Sequence, residues 1–207
     1  MTKPIKIKIE HLRPLQATVG SLEVEEKRKH VVSLDDKALK QFLIEAPIPV
    51  VLGKHDLHYV IDHHHLARAL SDASVTHAFV NVVEDLSTLS KDDFWDAVIE
   101  RRWVHPFDER GILRALSIIP DQIAGLRDDP YRSLAAFVRS AGGYVKTPEP
   151  FAEFQWAAFY RTRIPMWADS FQFRAAVDQG VHLACSPDAR TLPGFKRPPT
   201  AKSGDGA

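Results

Sequence analysis

The 207-residue chain has a single cysteine, Cys185, so no disulfide can form within it. That usage fits a reducing compartment, and the expected location is cytoplasmic. No apolar run approaches the roughly 18 residues that a membrane-spanning helix needs. The start, Met1-Thr2-Lys3-Pro4-Ile5-Lys6-Ile7-Lys8, lacks the continuous apolar stretch of a secretory signal. Net charge is missing as well: 27 Lys and Arg balance 27 Asp and Glu. A protein whose main task is to grip duplex DNA through many phosphates needs a basic surplus, so this class is disfavoured. A local basic groove remains compatible with the balance. No internal repeat is present.

What is present is ordinary globular material, 44% hydrophobic and 26% charged, enough for one good core with an appended lobe. Charge is mildly asymmetric. Residues 1–40 hold nine Lys and Arg against six Asp and Glu, whereas residues 84–129 hold six against eleven. Residues 1–83 read as strand, helices, strand, turn, strand, helix, strand. Lys6-Ile7-Lys8-Ile9 alternates as a half-buried strand, with His11-Leu12-Arg13-Pro14 as its exit turn. Gly20 turns the chain and Ser21 caps a short polar helix carrying Val24 and Val31. Ser33 caps a second, Leu34 to Leu43. Beyond Glu84-Asp85 the pattern becomes helical. Clear amphipathic runs cover Tyr131 to Ala141 and Phe151 to Arg163, and a third is Phe171 to Ala184. The expected class is α+β. The expected division is an α+β domain over 1–86, a mostly helical domain over 87–197 and a disordered tail over 198–207.

Chemistry concentrates at Tyr59-Val60-Ile61-Asp62-His63-His64-His65-Leu66. An apolar strand ends in an acid and three histidines, and a helical pattern follows. Helix N-termini carry unpartnered N–H groups and favour negative charge, so this turn is a candidate anion site. His64 or His65 would donate to phosphate oxygens or act as acid and base. The structural alternative makes Asp62 an N-cap and the histidines packing residues. Consecutive helical positions diverge by ~100°, so His63, His64 and His65 do not converge on one ion. A metal would need one or two of them beside His55, His58 or Glu23. Asp108-Glu109-Arg110 and Asp128-Asp129 read as solvated loops, and Cys185 as a buried small hydrophobe.

Val60-Ile61-Asp62-x-His64-His65 resembles the second box of the ParB/sulfiredoxin superfamily. That box commonly reads as two apolar residues followed by Asp-Gly-His-His-Arg. Leu12-Arg13-Pro14-Leu15-Gln16, Gly20, Glu23-Val24 and Lys27 are similar to the start of the ParB-like "putative nuclease" family. So are Asp129-Pro130-Tyr131-Arg132-Ser133-Leu134 and Ala141-Gly142-Gly143-Tyr144 with Phe151-x-Glu153-Phe154 further on. The resemblance implies a ParB/sulfiredoxin-like N-terminal lobe with a mostly α-helical C-terminal lobe. His63 stands where many relatives have glycine, and Leu66 where a phosphate-gripping arginine is common. Sulfiredoxin's catalytic cysteine is absent from the box, which excludes that reaction.

By this resemblance the chain binds a nucleotide or phosphorylated ligand at the Asp-His-His-His turn, with phosphoryl transfer or phosphodiester hydrolysis as the chemistry. Glu23, with Glu25 as rival, matches the catalytic base of ParB-like free-serine kinases, and His64 and His65 join it as catalytic residues. Gln16, Gly20, Lys27, Asp62, His63 and Arg68 would line the ligand. The expected cofactor is a nucleotide or a divalent metal. The expected partner is a phosphorylated small molecule or nucleotide, with nucleic acid not favoured and no membrane. Two alternatives stand beside this reading. A DNA-binding partition-type module would need a basic recognition helix, which acidic residues 84–129 do not offer. The other is a non-catalytic regulatory protein of the same fold.

Overall fold

The computed structural model describes residues 3–196, so the expected tail at 198–207 lies outside the described residues. The chain runs β1 (Ile5–Lys8), β2 (Leu12–Pro14), β3 (Thr18–Val19), α1 (Ser21–Ser33), α2 (Asp36–Glu45), β4 (Ile48–Leu52), β5 (His58–Val60), α3 (His64–Asp72) and β6 (His77–Asp85). There follow α4 (Lys91–Glu100), β7 (Arg127–Asp128), α5 (Pro130–Ser140), α6 (Ala152–Arg161) and α7 (Ser170–Ala184). The class is α+β. Contacts divide the chain into two compact units, Met1–Ser133 and Leu134–Ala207. Segment 87–133, which composition groups with the C-terminal half, packs with the first unit.

The first unit is built on a mixed five-stranded sheet in the order β1-β6-β4-β5-β2. β4 is nearly all apolar because neighbours cover it on both sides; Ile48, Val50 and Val51 are buried. It pairs parallel with β6 and antiparallel with β5. Leu12-Arg13-Pro14 is a strand and not an exit turn. It lies parallel to β5 with Pro14 opposite Val60. An edge strand tolerates proline because one side needs no donor. A separate parallel pair joins β3 to β7, with Thr18 opposite Arg127. α3 lays Leu66, Ala67, Ala69 and Leu70 into the main core with Val24 and Val31 of α1 and Val50, Val60 and Val80 of the sheet. A second apolar cluster gathers Leu15, Val51, Leu86, Phe94 and Val98.

Caps correct the sequence reading in places. The cap of α2 is Asp35, which accepts from Ala38 N–H at 2.8 Å, whereas Ser33 ends α1. Asp108 is buried. It accepts from the amides of Arg110 and Ile112 and pairs with Arg114, so it organises its turn instead of meeting solvent. Cys185 is exposed and is not a packed hydrophobe.

In the second unit, Trp156, Tyr160, Leu134 and Val138 are fully buried. Tyr144 stacks on Trp156 at 4.2 Å and donates its hydroxyl to the Ala135 carbonyl. Gly143 and Gly180 lie so close to Val138 that a Cβ on either would come within 2.5 Å of it. Among the described residues no helix is long and apolar enough to cross a membrane.

Candidate functional site

Ile61, Asp62 and His63 carry the chain from β5 into α3. His63 sits in the left-handed region at φ 64°. That region costs a side chain with a Cβ roughly 1–2 kcal/mol, which explains glycine as the common occupant. Asp62 accepts from the His63 amide at 2.7 Å, so it closes the turn and does not cap α3. Asp62 and His63 are exposed, whereas His64 and His65 turn inward and are buried.

Both buried imidazoles accept hydrogen bonds from the backbone. His64 Nε2 accepts from the Leu15 amide at 3.2 Å, and the ring is also hydrogen-bonded to the backbone of Val60. Burial, only partly offset by nearby Asp62, lowers its pKa to about 3. Through these bonds His64 ties the residue after β2 to the end of β5 and the start of α3. His65 Nε2 accepts from the Gly20 amide at 2.9 Å. The two histidines thus hold both ends of Leu15–Gly20. His105 holds the middle by exchanging backbone hydrogen bonds with Leu15 and Ala17. Burial and the Arg132 charge push the His105 imidazole down to about 3.

Gln16 is buried in this segment and donates to the Thr18 carbonyl at 2.7 Å. Gly20 is extended, with φ −85°, so it is not a turn glycine. It is required by proximity: a Cβ there would lie 2.6 Å from the amide nitrogen and hydroxyl oxygen of Ser133. That closeness lets distant residues complete the start of α1. Ser21 N–H donates to Asp128 Oδ1 at 2.7 Å, and Leu22 N–H to Ser133 Oγ at 3.2 Å. Asp128 is therefore a remote cap. The neighbouring Asp129 is buried and accepts from the amides of Tyr131 and Arg132 at the start of α5. Asp129 is thus buried and not solvated, whereas Asp128 stays exposed at the end of β7.

One turn into α1, Glu23 is the centre of charge. Its carboxylate lies 3.2 Å from Arg132 Nη1, 3.5 Å from His65 Nε2 and 3.8 Å from Lys27 Nζ. The Glu23 side chain is 16% exposed and that of Arg132 is 6%, whereas Lys27 is 41% exposed. The structure therefore brings Glu23, Lys27, His65 and Gly20 together and adds Arg132. Arg68 points elsewhere: it pairs with Asp72 at 2.8 Å and donates to the Leu126 carbonyl. Glu25, the rival base, is turned to Arg28 and Lys29.

Arg132 is the residue that sequence reasoning missed. No local signal in the sequence links it to Glu23. It lies in the buried run Tyr131–Ala136 of α5, where an arginine needs a partner. Among the described residues no group of three or more His, Cys, Asp or Glu is placed to hold a metal ion.

A family profile described as "putative ParB-like nuclease" matches residues 5–162. The crystal structure of protein Atu1540 from Agrobacterium tumefaciens is similar throughout, with a TM-score of 0.86 and 43% identity. The match covers 95% of this chain and 98% of that one. No curated protein matches.

Proposed function

This chain belongs to the ParB-like "putative nuclease" family, and on that premise we propose that it binds a nucleotide or other phosphorylated ligand at the Glu23 cluster and hydrolyses a phosphodiester there. The observation that carries the reading is one partly covered carboxylate surrounded by Arg132, His65 and Lys27. Phosphoryl chemistry needs cations for the equatorial oxygens and a base for the nucleophile, positioned before the reaction begins. Here Arg132 and Lys27 would turn from the carboxylate to the phosphate. Glu23, released from them, would take a proton from water as the water oxygen bonds to phosphorus. The phosphorus–oxygen bond to the leaving group would break, and the leaving oxygen would regain a proton from solvent. His64, Gln16 and Gly20 support the site by holding the segment that delivers α1. Asp62 and His63 shape its turn.

The test is a melting-shift series with nucleotides and inorganic phosphate on wild type, Lys27→Ala and Glu23→Gln. Wild type should be stabilised by a nucleotide, and Lys27→Ala by less. Glu23→Gln should still bind but lose phosphodiester hydrolysis by about 100-fold or more. If no phosphate compound shifts the melting of any of the three proteins, the reading fails.

A further inference from the structure

Two of the neighbours of His65 Nε2 make opposite demands on it. The Gly20 amide, 2.9 Å away, donates a hydrogen bond and requires a bare nitrogen. The Glu23 carboxylate, with Oε2 at 3.5 Å, accepts and requires a protonated one. One nitrogen cannot serve both, because imidazole nitrogen is either donor or acceptor. We propose that His65 is a proton-operated latch on this site: neutral, it holds the Gly20 amide; protonated, it releases that amide and seizes the Glu23 carboxylate.

The surroundings make the exchange consequential. Arg132 Nη1 approaches the same oxygen, Glu23 Oε2, at 3.2 Å, so a protonated His65 competes with Arg132 for it. Lys27 on α1 lies 3.8 Å from the other oxygen, Oε1. Asp128 holds the next amide, that of Ser21, and β3 just before Gly20 stays paired with β7, so protonation frees the Gly20 amide alone without detaching the helix. On α3, His64 holds the other end of Leu15–Gly20. It senses Asp62, His63 and His105 and keeps Leu15 in place while Gly20 moves. The Leu15 end is therefore fixed and the Gly20 end is switchable. A protonated His65 also adds positive charge beside Glu23, favouring an anion while tying up the carboxylate. The inference rests on the proposed function only in that the carboxylate it controls is the proposed base.

The experiment uses the full chain without ligand. Nuclear magnetic resonance on 15N-labelled protein reads the coupling across the hydrogen bond from the Gly20 amide to His65 Nε2, from about pH 8 to about pH 5. The coupling should be present at the upper end and vanish as Nε2 becomes protonated. In Glu23→Gln the loss should move to lower pH, because the charged imidazole no longer has a carboxylate to join. In His65→Gln, whose side-chain oxygen accepts without titrating, the Gly20 amide signal should stay constant across the range. An Nε2 already protonated at the upper end overturns the latch. So does a midpoint unmoved in Glu23→Gln, or a Gly20 signal that titrates equally in His65→Gln. No nucleotide enters the measurement, so its outcome is independent of whether a phosphate compound shifts melting.

Discussion

At the scale of residues, adjacent histidines on one helix have separate tasks because their partners differ. His64 meets a backbone amide and the backbone of Val60, and burial keeps it neutral. His105 is neutral for the same reason, reinforced by Arg132. Both are held near 3 in the folded protein against an ordinary value of 6.5. Above 6.5 neither state binds these protons, so the stability they contribute is fully present. Between 6.5 and about 3 the unfolded chain takes up protons that the folded protein refuses, and stability falls as pH falls. The melting temperature should decline across that window. His64→Gln, which keeps an acceptor near Leu15 without a titrating ring, should show a shallower decline measured by circular dichroism. An unchanged slope would mean that His64 takes its proton in the folded state after all.

At the scale of elements, the start of α1 is completed from far away. α1 begins with amides held by His65, Asp128 and Ser133, none of them its own residues. α5 is capped conventionally by Asp129, one residue before Pro130. An Asp-Pro pair at the head of an amphipathic run is a legible helix start, and the helix was expected from Tyr131 onward. The charge of Asp129 in such a sequence nevertheless reads as solvent-exposed. Nothing local reveals that its neighbour Asp128 completes another helix. Asp129→Ala should cost about 0.5–2 kcal/mol in urea unfolding and should loosen Arg132, whose amide the cap holds. A stability unchanged within error would show the cap to be dispensable.

At the scale of the whole molecule, the order of strands and helices in the first unit was largely readable. Alternation in Lys6-Ile7-Lys8, the apolar run of β4 and the 3.6-residue period of α5 and α6 each encode their own structure locally. The histidine turn, too, was identifiable as a junction of strand and helix. What could not be read was pairing across distance. Leu12–Pro14 looks like a turn because proline is judged alone; only its place at the sheet edge makes it a strand. Gly20 looks like a turn glycine because Ser133, its reason for being small, lies more than a hundred residues later. The same separation hides Arg132 from any local reading of Glu23.

That remoteness also orders events during synthesis. The hydrogen bonds that seat α1 span 107 and 111 residues, and the Glu23–Arg132 pair spans 109. A chain emerging N-terminus first exposes β1, β2 and α1 early, yet the partners that complete α1 appear only once Ser133 has left the ribosome. Until then the Leu22 amide and the Glu23 carboxylate lack their later partners, and closing so long a loop is entropically slow. Nascent chains arrested before Asp128 emerges should therefore be cut by protease near residues 15–25, and chains arrested well past Ser140 should resist. Equal protection at both lengths would show that α1 docks before its distant partners arrive.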